Sequence, residues 1–415
     1  MVPRSAITSP DPPLRSTHRL AREGEFELLC LLADAQLSAE RLVRIADWDF
    51  AALDWDRFIG LAEHHAVLPL AAVNLIKHRS VESGHGLPLE AERSLRSAYA
   101  ANLRRGLWFS AELVRIMQHF ERRQVRAIPY KGPVLAQSLY RDVGRRSFSD
   151  LDFLISPGHF DRAKQALAEI GYRPTVELTP SVEQLGLRIG YERSFGGAAG
   201  KNLVELQWAL LPHFYAVDPT RADLCTRCLL ERTGRIVVGG REVPCLSPED
   251  SLLLLCLHAA KHLWTRLIWL ADISETVRLP IPVTDYGLVL SRARELGITR
   301  ILGISFWLVR NVLQGELPAP LAAMTEADPQ VAVLGREFAW RLAHGATYDF
   351  ESTNYFRLIM KLRERRSDRW RYLWRLVWTP SVGDVAAARL PETLFPLYRI
   401  VRLGRLMRKL VWPRL

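Results

Sequence analysis

Two aspartates one residue apart in an otherwise apolar segment constrain the fold of this chain more than any other feature. The segment is Ser149-Asp150-Leu151-Asp152-Phe153-Leu154-Ile155, which has the composition of a buried strand. Strand side chains alternate between two faces, so Asp150 and Asp152 are predicted to share one face while Leu151 and Phe153 point into a core. Two carboxylates this close repel each other and are costly to bury unless a cation or a proton lies between them. A divalent-metal site with hard oxygen ligands, suited to magnesium, is therefore the first hypothesis.

A second apolar segment, Leu203-Val204-Glu205-Leu206-Gln207-Trp208, carries a third carboxylate. Alternation along a strand places Glu205 and Gln207 on one face and the apolar side chains on the other. If the two predicted strands are neighbours in one sheet, Glu205 completes a three-carboxylate cluster with the paired aspartates. Such a cluster would bind two divalent cations, one holding a triphosphate and the other lowering the pKa of an attacking hydroxyl. Glu205 is then expected to be a general base or a ligand of the second metal.

A glycine turn precedes the paired aspartates and joins a predicted strand over 125–130 to a predicted helix over 133–140. A helix N-terminus reached through Gly132 presents free backbone N–H groups, and Lys131 adds a positive charge, so the turn is predicted to hold a phosphate. Arg146, four residues before Asp150, would supply a second cation. The alternative is that Lys131 and Arg146 both face the solvent and form only weak ion pairs.

Taken together, these segments resemble a known family. The Lys131-Gly132 turn, the segment from Arg146 through Ser149-Asp150-Leu151-Asp152 and the strand Glu205-Leu206-Gln207-Trp208 are similar to motifs of the uncharacterised bacterial nucleotidyltransferase family of the DNA polymerase β-like nucleotidyltransferase superfamily. Its members typically have a K-G turn, an R-x-x-S-D-x-D strand, and a strand in which an acid precedes His-Trp. The resemblance covers about residues 25–275, including Leu246–Asp250, His258–His262 and Trp269–Asp272, and extends only loosely into the C-terminal tail.

The resemblance implies transfer of a nucleoside monophosphate from a nucleoside triphosphate to an acceptor, with release of pyrophosphate. Mg²⁺ is the implied cofactor, with Mn²⁺ as the alternative, and ATP is the first candidate for the donor, although the base preference and the acceptor stay open. The catalytic and metal-binding residues would be Asp150, Asp152 and Glu205, and the nucleotide-binding residues Lys131, Gly132, Arg146 and Ser149. Gln207 departs from the family pattern, which has histidine there, so the role of an imidazole at this position is in doubt.

Five polar residues are candidates for the wall of a pocket: Gln207, His258, Lys261, His262 and Asp272. His258 and His262 are four residues apart, which places both imidazoles on one face of a helix. A structural or substrate-pocket role is favoured over a metal pair. Asp272 is expected to cap the helix or to pair with one of the two histidines.

The pattern of the chain divides its 415 residues into five segments. A tail over 1–22, rich in proline, serine and arginine, is predicted to be disordered and lacks the apolar stretch of a signal peptide. A helical region follows over 23–123, then the nucleotidyltransferase core over 124–212, a helical region over 213–352 and a basic aromatic-rich tail over 353–415. The predicted fold class is α+β, with a polymerase β-like core and a small mixed sheet between N- and C-terminal helical regions.

The net positive charge of the chain is confined to the last segment. Residues 353–415 hold 15 lysines and arginines against four aspartates and glutamates, a difference of 11 that equals the net charge of the whole chain. Basic residues alternate there with Trp370, Tyr372, Trp374 and Trp378, a composition that suits an anionic membrane surface or nucleic acid. The alternative is a solvated helix whose aromatic side chains pack against the protein body.

The expected location is the cytoplasm, with peripheral membrane association through the basic tail, because no apolar run reaches the roughly 18 residues of a membrane-spanning helix. Five scattered cysteines argue against a disulfide framework, and Cys225 and Cys228 are interpreted as neighbours on one helix face, with redox and metal roles as alternatives. Two function classes stay open. The intact carboxylates favour an enzyme, and Gln207 favours a catalytically degenerate protein that binds a nucleotide or a partner.

Overall fold

The computed structural model describes residues 24–78, 87–197, 202–212, 215, 217–218, 224–279, 284–346, 352–380, 384, 387–388 and 390–411. The tail over 1–22, predicted to be disordered, lies outside these residues. Within them the chain combines many helices with one five-stranded mixed sheet and a two-stranded hairpin, so the α+β class is confirmed.

Helices form the first part of the described chain: α1 (Gly24–Leu32), α2 (Ala39–Ala46), α3 (Trp55–His64), α4 (Leu68–His78) and α5 (Leu89–Arg122). The 34 residues of α5 agree with the helical periodicity of the sequence between Leu89 and Arg123. Phe109, Leu113, Ile116 and Phe120 recur along α5 at intervals of three or four residues and are buried. This spacing places them on one face of the helix, which packs against the sheet.

The sheet contains β1 (Ala127–Pro129), β2 (Asp150–Ile155), β3 (Arg173–Pro174), β4 (Glu192–Gly196) and β5 (Leu203–Gln207), in the order β1-β2-β5-β4-β3. β2 and β5 are parallel, and the other pairs are antiparallel. Between the strands lie α6 (Pro133–Tyr140), a 3₁₀ turn (Pro157–His159), α7 (Phe160–Glu169) and α8 (Pro180–Ile189).

The sheet separates two hydrophobic cores, and this fixes the direction of its side chains. Leu151, Phe153 and Leu206 belong to the core that α5 and α7 cover. Leu154, two residues after Asp152 and therefore on the same face as the aspartates, belongs to the larger core on the opposite side. The predicted alternation along both strands is confirmed, and the carboxylates face the side of the sheet with the larger core, to which Leu135 and Tyr140 of α6 belong.

The remaining chain is mainly helical, but it includes a hairpin that the sequence analysis missed in the region over 213–352. After α9 (Thr226–Glu231), strands β6 (Gly234–Val238) and β7 (Arg241–Cys245) pair in antiparallel register. Gly239 and Gly240 connect them with φ angles of 59° and 78°. A two-residue hairpin turn of type I′ needs positive φ at both central residues, so Gly-Gly between two β-type runs was the available signal.

Helices complete the described chain: α10 (Pro248–Lys261), α11 (Leu267–Val277), α12 (Tyr286–Leu296), α13 (Thr299–Asn311), α14 (Ala319–Met324), α15 (Pro329–Ala343), α16 (Thr353–Leu362), α17 (Arg366–Trp378), a 3₁₀ segment (Glu392–Leu397) and α18 (Tyr398–Val411). The start of α10 agrees with its sequence, since the Ser247 hydroxyl accepts a hydrogen bond from the backbone N–H of Asp250 at 3.2 Å. None of the helices in the described ranges is both long and apolar enough to cross a bilayer.

Cys225 and Cys228 form a disulfide at the start of α9, which corrects the interpretation of the two as neighbours on one helix face. Cys225 is the N-cap of α9, outside the helix, so its sulfur turns back towards Cys228. The adjacent Thr226 hydroxyl donates a 2.7 Å hydrogen bond to the carbonyl of Trp208, which directly follows β5. The disulfide-bearing turn is thus attached to the end of the strand that carries Glu205.

Candidate active site

The parallel pairing of β2 with β5 brings the predicted carboxylates together. Asp152 lies directly opposite Glu205, and Asp150 lies opposite Leu203. Side chains directly opposite each other on neighbouring strands share a face and lie within contact range. Asp152 is 3 % exposed, while Asp150 and Glu205 are partly exposed, so the cluster runs from the interior to the solvent.

Two donors hold the buried Asp152 carboxylate. Lys131 Nζ lies 3.0 Å from Asp152 Oδ1, and Gln207 Nε2 donates to the same oxygen at 2.9 Å. The Gln207 amide also donates to Glu205 Oε2 at 3.2 Å, and its oxygen accepts a hydrogen bond from the Tyr130 hydroxyl at 2.5 Å. Gln207, which departs from the family pattern, therefore connects both strands of the site through its amide group.

The turn before α6 places Lys131 in this position. Gly132 is the N-cap of α6 and has a φ of 52°, a conformation that side chains with a Cβ rarely adopt. A Cβ built on Gly132 would also lie 3.3 Å from the backbone oxygen of Asp150. Glycine thus lets the turn approach the start of β2. The Lys131 side chain is 13 % exposed, and its ammonium group contacts the Asp152 carboxylate. Ser149, which directly precedes β2, is exposed.

The carboxylates carry more negative charge than the neighbouring cation offsets. Burial, together with the negative charges of Asp152, Glu192 and Asp150, raises the pKa of Glu205 to about 8 against the opposing effect of Lys131. The pKa of Asp150 is also raised, by burial and by Asp152. For Lys131, burial alone would lower the pKa, but Asp152, Tyr130 and Asp150 together outweigh this effect and the net shift is upward. The site therefore favours further positive charge, as expected for a cation-binding cluster.

Three site residues escaped the sequence analysis: Glu192, Tyr130 and Tyr191. Glu192 lies opposite Gln207 in the register of β4 with β5, and its Oε2 accepts from the Gln207 amide at 3.4 Å. Tyr191 donates to the Glu192 carboxylate and accepts a 2.9 Å hydrogen bond from Lys261 Nζ. Alternation along the predicted strand over 191–195 was the available signal, because it places Glu192 on one face and the buried Phe195 on the other.

Arg146 binds a buried aspartate and contacts no carboxylate of the cluster directly. Its Nη2 and Nε lie 2.7 and 2.9 Å from the two carboxylate oxygens of Asp272, and the Tyr140 hydroxyl donates to Asp272 at 2.9 Å. This corrects the expected pairing of Asp272 with a histidine, since a fully buried carboxylate is better compensated by a permanent cation. Arg146 still lies close enough to Asp150 to lower its pKa.

Three of the five predicted pocket residues line one small cleft next to the carboxylates: Gln207, His258 and Lys261, together with Tyr130 and Lys131. His262 lies beside His258, with ring centroids 4.8 Å apart, and stacks on Trp269 at 5.1 Å. Burial and the charge of Lys261 lower the pKa of His262 to about 3, and burial with Lys131 lowers the pKa of His258. Both shifts favour the neutral imidazole, which agrees with the structural or pocket role.

The donor types at the cluster suit a hard cation. Asp150, Asp152 and Glu205 supply carboxylate oxygens, and a bound cation would return the raised pKa of Glu205 towards its ordinary value. Among the residues that the structure describes, no three His, Cys, Asp or Glu side chains are close enough to hold a metal ion. The positive charge at Asp152 is supplied by Lys131 instead.

The mixed sheet thus carries carboxylates on two adjacent parallel strands, with a glycine turn and a lysine beside them. The model of one protein family, described as an uncharacterised nucleotidyltransferase, matches residues 51–314. The chain therefore belongs to this nucleotidyltransferase family. Searches of curated proteins and of solved structures found no match. The matched residues include every carboxylate of the site and end before the basic tail.

Proposed function

We propose that this protein is a Mg²⁺-dependent nucleotidyltransferase with a polymerase β-like core, which transfers a nucleoside monophosphate from a nucleoside triphosphate, with ATP as the first candidate, to an acceptor hydroxyl. The observation that supports this most strongly is the parallel register of β2 and β5, which sets Asp152 opposite Glu205 with Asp150 at the solvent side. The oxygen donors, the raised pKa values of Asp150 and Glu205 and the family membership agree with it.

In the proposed reaction the acceptor oxygen attacks the α-phosphorus, its proton passes to a base, and the bond to pyrophosphate breaks. Glu205 is the proposed base, because it lies opposite Asp152 and is partly exposed, and a bound cation would favour the ionised carboxylate that can accept the proton. Lys131 is proposed to exchange Asp152 for a phosphate oxygen when nucleotide binds, and Asp150 and Asp152 would hold the cation. Mg²⁺, when bound, would neutralise the charge of the triphosphate and lower the pKa of the attacking hydroxyl.

The acceptor is proposed to enter through an open cavity of about 710 Å³ between α6, the β6–β7 hairpin and the start of α10. Ser251 of α10 lines this cavity, and Leu254 and His258, on the same face of α10, line the small cleft beside Lys131. Tyr130 borders both spaces. An acceptor held in the cavity would thus follow one face of α10 towards the carboxylates.

Nucleotide binding is testable without knowledge of the acceptor. We expect a nucleoside triphosphate with Mg²⁺ or Mn²⁺ to stabilise the protein in a thermal-shift titration, by about 2.7 kcal/mol at a hundredfold excess over Kd. The shift should require the metal and disappear in the Asp150→Asn, Asp152→Asn double variant. Absence of a shift with ATP, CTP, GTP and UTP would contradict the proposal and favour a degenerate protein that binds a partner.

The acceptor cavity is tested by filling it. Ser251→Trp should abolish the stimulation of pyrophosphate release by a mixture of small cellular metabolites, because the indole occupies the path along α10. The nucleotide-induced thermal shift should stay unchanged. Ser291→Trp, on the exposed surface of α12, is the matched control and should behave as the wild type. Normal stimulation in Ser251→Trp would place the acceptor elsewhere.

A further inference from the structure

The outer face of α17 is a row of tryptophans. Trp370 and Trp374 are 74 % and 65 % exposed, and Trp378, four residues further on, is also exposed. Trp374 and Trp378 stack on each other with ring centroids 5.3 Å apart. The opposite face of α17 packs into the protein through Tyr372. The alternative that the aromatic residues of the tail pack against the protein body therefore holds for Tyr372 and is wrong for the three tryptophans.

The row continues onto α18. Arg399 lies over the ring of Trp378, 5.8 Å from its centroid, so the two helices meet at this residue. Ile400 and Met407, seven residues apart on one face of α18, are both more than 60 % exposed. We call these exposed side chains the tryptophan patch: Trp370, Trp374, Trp378, Ile400 and Met407. Exposed large apolar side chains grouped on two helices that meet are typical of an interaction site.

The charges around the patch distinguish between partners. Four arginines of the tail share two buried aspartates, which offset half of their charge: Arg363 and Arg371 pair with Asp368, and Arg402 and Arg405 pair with Asp384. Arg366, Arg399 and Arg408 are exposed beside the tryptophans and the apolar face of α18. Nucleic acid would require many cations aligned with phosphates, whereas a bilayer surface requires an apolar face with a few cations at its edge.

We propose that α17 and α18 bind the surface of an anionic lipid bilayer, with the tryptophan patch in the boundary between headgroups and acyl chains and the exposed arginines at lipid phosphates. Indole rings favour this boundary because they have an apolar body and one polar N–H group. The proposal does not depend on nucleotidyl transfer, since none of its residues lies within the family match or the candidate active site.

The experiment is sedimentation of the full-length protein with vesicles of phosphatidylcholine, with and without phosphatidylglycerol. The wild type should be retained on the vesicles that contain phosphatidylglycerol. The Trp370→Ser, Trp374→Ser double variant should lose about tenfold or more in partitioning, because each indole contributes burial of apolar surface. Trp108→Ser is the matched control, since Trp108 is a 48 % exposed tryptophan on α5, outside the patch. Both variants replace exposed side chains, so unchanged thermal unfolding is expected for each.

Several results would overturn the proposal. The first is a wild type that does not bind anionic vesicles at all. The second is a double variant that is retained as well as the wild type, and the third is a Trp108→Ser variant that loses as much binding as the double variant. Complete displacement from the vesicles by single-stranded RNA, together with direct binding of that RNA through the same tryptophans, would assign the patch to nucleic acid instead.

Discussion

Replacing Asp150 and Asp152 with asparagine is expected to lower nucleotidyl transfer by about 10³-fold or more while the protein keeps its fold, because asparagine preserves the shape of the side chains and removes the charges that would bind the cation. Asp150→Asn is the cleaner single variant. Burial and the neighbouring Asp152 raise the pKa of Asp150, so loss of its charge relieves repulsion and should leave unfolding unchanged or shift it to higher temperature.

Asp152→Asn should also lose transfer, but it leaves Lys131 without its carboxylate partner at 3.0 Å, and a loss of stability is expected with it. The measurements are pyrophosphate release from each nucleoside triphosphate and thermal unfolding of the same samples. Asp161→Asn, an exposed aspartate on α7, serves as the control and should retain full activity. Transfer at the wild-type rate in both Asp150→Asn and Asp152→Asn would exclude the proposed cation site.

Breaking the buried Arg146–Asp272 pair is expected to destabilise the protein by about 3–5 kcal/mol, since an uncompensated charge is then left in the interior. Asp272 is fully buried and accepts three hydrogen bonds from Arg146, at 2.7, 2.9 and 3.2 Å. Asp272→Leu therefore leaves the guanidinium of Arg146 without its counter-ion. The Arg146→Met, Asp272→Leu double variant removes both charges and should recover much of the loss.

Urea unfolding of the single and double variants measures these effects. The exposed pair of Arg310 with Glu326, at 3.2 Å, is the matched control, and Glu326→Leu should change the free energy of unfolding by less than about 1 kcal/mol. An equally small change in Asp272→Leu would contradict the expected role of the buried pair. A nucleotide-induced thermal shift that persists in the double variant would remove Arg146 from the nucleotide site.

The local features of the site could be predicted from the sequence because they depend on a period of two along each strand. The predicted limits of β2 and α6 agree with the structure, and the predicted faces of Asp152 and Glu205 are confirmed. The hairpin over 234–245 and the Cys225–Cys228 disulfide escaped prediction although both had local signals, a Gly-Gly pair and a C-x-x-C motif.

The contacts between distant segments could not be predicted in the same way. Gln207 appeared as a departure from the family pattern, and only the structure shows that its amide bridges Asp152 and Glu205. Glu192 approaches the site because β4 pairs with β5. Trp370 and Tyr372 lie two residues apart in a segment where basic and aromatic residues alternate, yet Trp370 is exposed and Tyr372 is buried.

The sequence by itself therefore determined the composition of the site, the alternation that turns its carboxylates to one face, and the family to which the chain is similar. The tertiary structure alone decided which residues meet: Asp152 with Lys131, Arg146 with Asp272, and the tryptophans with solvent. The physical reason is that strand and helix periodicity arises from neighbouring residues, whereas the partner of a buried charge is chosen by the packing of segments far apart in the chain.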